Sequence, residues 1–410
     1  MIPEPQGPFA GHLPALGDAA RREPLGLYLH VPFCAALCRY CTFTRTLSDG
    51  GLERRYVEAL GREIRAAGRR EPGGGARRPR ADTIYFGGGT PSLLAPSDVA
   101  ALVAACRETF DVDGSAEITL EANPESATPA RLAGYREAGV TRLSLGVQSF
   151  SDPELRRLGR IHDRARACAA YDEARRAGFD NISLDLMLWL PGQSRGDLAA
   201  SVATLAGLAP EHASAYLLEV YPGSPLEADM AREGWTRVSD DEAADMYLET
   251  MERLEASGFE QYEISNLARP GRRSRHNLKY WTDGAWVGFG CGAHSTVRGE
   301  RWENVARVPE YLARVEAGAS PAAARRRLSP RERLEDALVM GLRLAEGIGL
   351  DRVRRDYGVD VGERWAAPIA LFEEAGLVGR DARRLWLTRR GMLLANDVMI
   401  AFLEGGSTVK

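Results

Sequence analysis

The stretch "HVPFCAALCRYCTF", residues 30–43, sets Cys34, Cys38 and Cys41 in a Cys-x3-Cys-x2-Cys pattern at the end of a short β-branched and apolar run, "GLYLHV". Thiolates are soft ligands suited to iron–sulfur clusters. Three on one loop can hold three corners of a four-iron cluster and leave the fourth iron open as a reaction site. A zinc knuckle or plain buried thiols are the bland alternatives, but zinc asks for a fourth protein ligand and none stands beside these three. The other cysteines, Cys106, Cys168 and Cys291, are isolated, so nothing here resembles a secreted disulfide framework.

Outward from that loop, further strand-like runs recur as "DTIYFGGG", "AEITLEANP", "TRLSLGVQS", "NISLDLML" and "HASAYLLEV", six in all with the first. Segments with apolar positions at three- and four-residue spacing lie between them, among them "LERRYVEALGREIRAAGRR" and "DVAALVAACRETF". Alternation of this kind predicts an α/β fold with a parallel sheet, and six units are too few for a closed eight-stranded barrel. A partial (β/α)6 barrel is the expectation. Ligands collect at the C-terminal ends of such strands. The unusual residues sit there: "PFC", "GGGTPS", "EANPES" and "VQSF" each follow a strand.

With 410 residues, 44% hydrophobic and 27% charged, the chain is long enough for this domain and a smaller one. Residues 1–24 read as an N-terminal extension, 25–257 as the βα core, and 258–319 as a Gly- and aromatic-rich segment covering the site. Residues 320–410 read as a small, α-rich, winged-helix-like domain, with "AGASPAAARRR" as the link. The net charge of −4 has no basic tract behind it, so no nucleic-acid partner is expected. No signal sequence and no apolar run of about 18 residues appears, which predicts a cytoplasmic protein without a transmembrane segment.

The cysteine spacing after a first strand resembles the radical SAM superfamily. The ordered set "LYLHVPFC", "YFGGGTPS", "EANPES", "LSLGVQSF", "LDLMLWLPGQ" and "YEISNLARPG" resembles, within it, the oxygen-independent coproporphyrinogen III oxidase-like group, over roughly residues 25–400. That resemblance implies a [4Fe–4S] cluster on Cys34, Cys38 and Cys41, whose open iron is chelated by S-adenosylmethionine (SAM). It implies SAM contacts at Tyr28, Tyr40, Gly89, Thr90, Glu121, Gln148, Arg160 and Asp185. Glu121 and Asp185 are expected to accept from ribose hydroxyls or an amine, and Arg160 to pair with the SAM carboxylate. It also implies a C-terminal domain like that of the porphyrinogen oxidases, here residues 320–410.

Two members of the group diverge at this point. Porphyrinogen-oxidising enzymes continue the cysteine motif with a further cysteine where this chain has Phe43, and they carry a longer N-terminal extension. "HNLKYW", His276 to Trp281, instead is similar to the His-Asn-x-x-Tyr-Trp signature of the HemW family of heme chaperones. That likeness implies heme binding and delivery of heme to a membrane-associated acceptor protein. His276 is then a candidate axial ligand, and Tyr280 and Trp281 are candidates for flat apolar surface against the macrocycle. The alternative is a radical SAM enzyme, in which SAM cleavage yields a 5′-deoxyadenosyl radical for porphyrinogen chemistry or a related methyl transfer or cyclopropanation. Two departures from the pattern stand beside the expected site: Trp189 where glycine is usual, and Cys291 where proline is common. Cys291 is a second candidate heme ligand.

Overall fold

In the computed structural model, which describes residues 23–68 and 78–403, the six expected strands lie side by side in sequence order. They are β1 (Leu25–Val31), β2 (Arg80–Gly88), β3 (Asp111–Ala122), β4 (Arg142–Gln148), β5 (Ile182–Leu188) and β6 (His212–Leu217). Every neighbouring pair is parallel. Between them run α1 (Gly50–Ala67), α2 (Pro96–Thr109), α3 (Pro129–Glu137), α4 (Arg164–Arg176) and α5 (Arg195–Leu208). The helix starts are locally encoded: Asp49 and Asp163 cap α1 and α4, and Ser194 with Asp197 forms a capping box on α5. Of the expected N-terminal extension, residues 1–22 lie outside the described residues.

Parallel strands covered on both faces usually read as continuous apolar runs, yet these alternate. Leu27, Ile84, Leu120, Leu143, Leu145, Ile182 and Leu184 join the core beneath the helices. The intervening positions are buried and polar, among them Thr83, Glu117, Thr119, Arg142, Ser144, Ser183 and His212. They meet one another, as Ser183 Oγ does His212 Nδ1 at 2.8 Å and Ser144 Oγ does Asp185 at 3.3 Å. The period of two therefore separates an apolar outer face from a polar lumen.

The segment 258–319 corrects the expectation of a site cover. Strand β7 (Trp286–Phe289) pairs in parallel with β1, and β8 (His294–Val297), β9 (Glu300–Asn304) and β10 (Ala322–Arg327) follow antiparallel. With Asn266–Ala268 and Glu260–Gln261 beyond β6, the sheet reaches twelve strands. Helix α6 (Arg275–Trp281), which carries "HNLKYW", enters the other end of the barrel, away from the cysteines. The link "AGASPAAARRR" is likewise corrected: its last six residues are β10, an exposed edge of arginines, so the boundary falls at Leu328 rather than residue 320.

Past that boundary the order is helix Pro330–Leu342, strand Ile348–Gly349, helices Leu350–Tyr357 and Ala366–Glu374, then the antiparallel strands Val378–Arg380 and Arg384–Leu387. Helix, strand, helix, helix and hairpin is the winged-helix order. It has its own core of Leu338, Leu342, Ile348, Ile369, Leu385 and Phe402. Among the described residues no helix is long and apolar enough to cross a membrane.

Candidate functional site

The cysteine loop is held at the C-terminal mouth of the barrel by backbone bonds. Thr46 N–H donates to Pro32 O (2.7 Å) and Ser48 N–H to Cys34 O (2.9 Å), while Thr90 N–H donates to Phe33 O (2.7 Å). Cys34 is buried, whereas Cys38 and Cys41 are half-exposed and all three are free thiols. Arg160 brings the loop to the strand ends: it donates to Cys38 Sγ (3.4 Å), Asn123 Oδ1 (2.7 Å) and Gly146 O (2.7 Å). Asn123 in turn donates to Thr90 Oγ1 (3.2 Å). Gln148 adopts φ 69°, a left-handed conformation uncommon outside glycine, at the end of β4. Cys38, Thr90, Asn123, Gln148 and Arg160 are thus gathered from four βα units, the last two from the same one. Asn123 stands inside "EANPES" but was not singled out from the sequence; a polar residue at a strand end was the available signal.

The glycine triplet has a mechanical reason. A Cβ on Gly87 would lie 2.9 Å from Tyr28 and 3.0 Å from Tyr85; one on Gly88 would lie 2.6 Å from His30. One on Gly89 would lie 2.6 Å from Phe33 O, the strand that leads into Cys34. Two glycines make room for a wall of rings, and the third lets the cysteine loop close down.

That wall connects to the carboxylates. Tyr85 OH donates to Glu121 Oε1 (2.8 Å), and Gly88 N–H donates to Glu121 Oε2 (3.1 Å). Burial pushes the Glu121 carboxyl up to about 7, with the neighbouring Asp185 adding to the rise and Arg142 opposing it. Burial also raises Asp185, against hydrogen bonds from Ser214, Ser144 and Ser183. Arg142 is fully buried, and its Nε and Nη1 meet no protein acceptor.

His276 lies at the far end of the lumen. The α6 backbone at Arg275 and His276 donates to Glu117 (3.0 Å each), and Lys279 Nζ reaches Pro24 O (2.7 Å) and Asp82 (2.8 Å). Gly26, Thr83 and Glu117, its neighbours, precede the mouth residues on their strands. From Thr83 to Gly89 is six residues, roughly 20 Å of strand. The ring is fully buried, with Nδ1 on Thr83 Oγ1 (2.8 Å) and Nε2 on Tyr280 OH (3.0 Å). Burial, with the Lys279 and Arg142 cations, lowers its pKa to about 3. In this conformation neither nitrogen is open to an axial iron. Tyr280 packs edge-on against Trp286, and Trp281 lies under the Arg343 guanidinium, so the open heme face expected of this motif is not present.

The two departures are placed as well. Trp189 sits at φ 62°, where glycine would be unstrained, and its indole turns to Val238 O (3.0 Å) beneath Arg237. Cys291 is fully buried, bonded to Tyr56 through its N–H (2.9 Å) and thiol (3.6 Å), and burial pushes that thiol up to about 11. It is a small core residue here.

Six parallel strands with three cysteines and a glycine triplet at their mouth define a radical SAM protein, and the radical SAM superfamily model matches residues 28–205. The HemN C-terminal domain model matches residues 328–394. Coproporphyrinogen III oxidase (HemN) from Escherichia coli has the same fold, with a TM-score of 0.81 over 95% of this chain and 92% of that one at 23% identity. The heme chaperone HemW of Bacillus subtilis is 34% identical over 92% of this chain and 98% of its own length. That of Mycobacterium tuberculosis is 39% identical over 93% and 95%, and a mitochondrial radical SAM domain-containing protein 1 of Bos taurus is 33% identical over 92% and 87%. The chain belongs to the HemW family of radical SAM proteins.

Membership supports SAM and a [4Fe–4S] cluster as cofactors, and the residues fit them. Three thiols on one loop suit a cluster that takes each at a different iron. Beside them the buried Arg160 Nε lacks an acceptor, an orphan donor of the kind a carboxylate would satisfy.

Proposed function

We propose that this protein binds heme at the cluster-bearing mouth of its barrel and passes it to an acceptor protein, as a cytoplasmic heme chaperone whose acceptor is membrane-associated. One observation carries the reading beyond the relatives' names. Of the eleven large apolar side chains exposed among the described residues, seven rim this mouth: Leu37, Phe43, Leu47, Ile161, Tyr216, Leu217 and Tyr221. Phe43 is 71% exposed and Leu37 46%, on the cysteine loop itself. A patch of this kind around a functional centre marks a binding surface. A macrocycle with apolar faces and anionic propionates suits these side chains with Arg45 beside them.

Cys34, Cys38 and Cys41 are proposed to hold the cluster. Tyr28, Tyr40, Gly89, Thr90, Glu121, Gln148, Arg160 and Asp185 are proposed to hold SAM. When bound at a reduced cluster, SAM supplies one-electron chemistry, and this chain's part is to orient it and exclude water. Arg160 fixes the cysteine loop and offers a cation to the SAM carboxylate. Glu121 accepts donors from SAM most strongly as a carboxylate. Its pKa is raised from 4.5 to about 7 in the free protein, so SAM affinity should fall as pH drops through about 7. In Glu121→Gln that pH dependence should flatten, measured by equilibrium dialysis between pH 6 and 8.

Anaerobic titration of the reconstituted protein with heme, following the Soret band with and without SAM, tests the reading. Saturable binding is expected, and its absence would sink the proposal. Phe43→Ser with Leu37→Ser should weaken it by about tenfold or more, since burying each ring or leucine is worth about 1.5–3 kcal/mol. Rapid turnover of coproporphyrinogen III would favour the enzyme reading instead.

A further inference from the structure

The motif "HNLKYW" lies where a heme ligand is hard to use, and its contacts run toward the cofactor end. His276 stacks on Tyr85 (centroids 5.0 Å apart, planes 28° apart), and Tyr85 is stacked beside Tyr28 at 6.1 Å. From there two arms leave. Tyr85 OH donates to Glu121 Oε1, whose other oxygen takes the Gly88 N–H of the glycine triplet. Tyr28 OH meets His30 Nδ1 at 3.1 Å, and His30 Nε2–H donates to Thr44 O (3.1 Å), three residues past Cys41. The column is stiff at its base. Gly26 lets His276 and Lys279 press against β1, since a Cβ there would lie 2.8 Å from Lys279 and 3.0 Å from His276. Ser274 caps α6 and Glu117 accepts its first N–H groups.

We infer that α6 is the floor of the lumen and that His276 is a positioning residue for SAM and the cluster loop, acting through Tyr85 and Tyr28, rather than an axial heme ligand. Flat aromatic stacking and buried, fully partnered hydrogen bonds lock ring orientation. With His276 stacked on it, the Tyr85 ring is held where its hydroxyl reaches Glu121. Without it, the ring is free to tilt into the vacated space, and Glu121 and the Gly88 N–H lose their fixed geometry. Tyr280 serves the same end by holding His276 Nε2.

This inference rests on SAM binding at the mouth, and the test separates the two. The quantities read are SAM affinity by equilibrium dialysis, the change in the reduced cluster's EPR spectrum on adding SAM, and the heme midpoint from the Soret band. For His276→Ala, SAM should bind about tenfold more weakly, as when a group behind a ligand-holding residue is removed. Its EPR change should be altered and its heme midpoint should match the parent protein. Tyr85→Phe, which keeps the stack and deletes the hydroxyl, should weaken SAM similarly, and the double variant should be no worse than the weaker single one. If the alanine variant does not fold, His276→Asn, with an amide still able to meet Thr83, takes its place beside Tyr85→Phe. Unchanged SAM affinity in the histidine variant overturns the inference, and so does loss of heme binding with SAM binding intact. Failure of the parent protein to bind SAM overturns the SAM reading itself.

Discussion

Cys38→Ala protein, reconstituted anaerobically with iron and sulfide, should hold less than a tenth of the parent's four-iron cluster, read as iron and sulfide content and the broad visible absorption. A four-iron cluster anchored by three thiolates has no spare ligand. None of the other cysteines is a substitute, because Cys106 and Cys291 are fully buried elsewhere and Cys168 lies on α4. The variant should still fold. Cys38 is half-exposed on a loop, where its thiol takes a 3.4 Å bond from Arg160. Its far-UV circular dichroism should therefore match the parent's. A full cluster in this variant would contradict the ligand assignment, and with it the reading of the mouth.

Glu63→Ala should cost about 3–5 kcal/mol of stability, the loss typical when several buried donors lose one charged acceptor. Glu63 is fully buried on α1 and accepts from Gly290 N–H (2.8 Å), Asn304 Nδ2 (2.8 Å) and Tyr311 OH (2.6 Å). Those donors come from the end of β7, from β9 and from helix Val308–Glu316. One carboxylate thus fastens the first helix of the barrel to the elements that extend the sheet past β1. Urea unfolding followed by tryptophan fluorescence should show the midpoint fall, with Glu63→Gln losing less because one oxygen acceptor remains. A loss under 1 kcal/mol would mean that the extension is held mainly by its apolar contacts.

The six barrel strands and the cysteine loop were legible because each strand is a short β-branched or apolar run, most of them ending in residues that do something unusual. Cys34, Gly89 and Gln148 mark strand ends in the letters as they do in space. What escaped is physically coherent. Strand β7, "WVGF", is flanked by glycine and aromatic residues that read as loop, and only its pairing to β1 makes it a core element. Strand β10, "AAARRR", has the composition of a linker, yet ion pairs from Arg325 and Arg327 to Glu300 on the adjacent strand hold it in the sheet. The alternation of Thr83, Tyr85 and Glu121 with Ile84, Phe86 and Leu120 was visible, but a polar inner face is interpretable only once the strands are known to surround a lumen. His276 shows the limit most clearly. A motif signature places a residue in a family, while the depth at which it sits depends on strands almost two hundred positions earlier.

That distance also orders events while the chain is being made. Thr83 and the His276 that seats on it are 193 residues apart, which at 5–20 residues per second is roughly 10–40 s of translation. Through that interval β1 has no neighbour on its β7 side, and the nascent barrel is a cup open at both ends with a wet, polar interior. An unpaired edge of this sort invites pairing with other chains. The ribosome-bound intermediate ending before residue 275 should therefore be the most chaperone-dependent stage of this protein's life, and release should follow when α6 and β7 emerge together to shut the base and cover the edge.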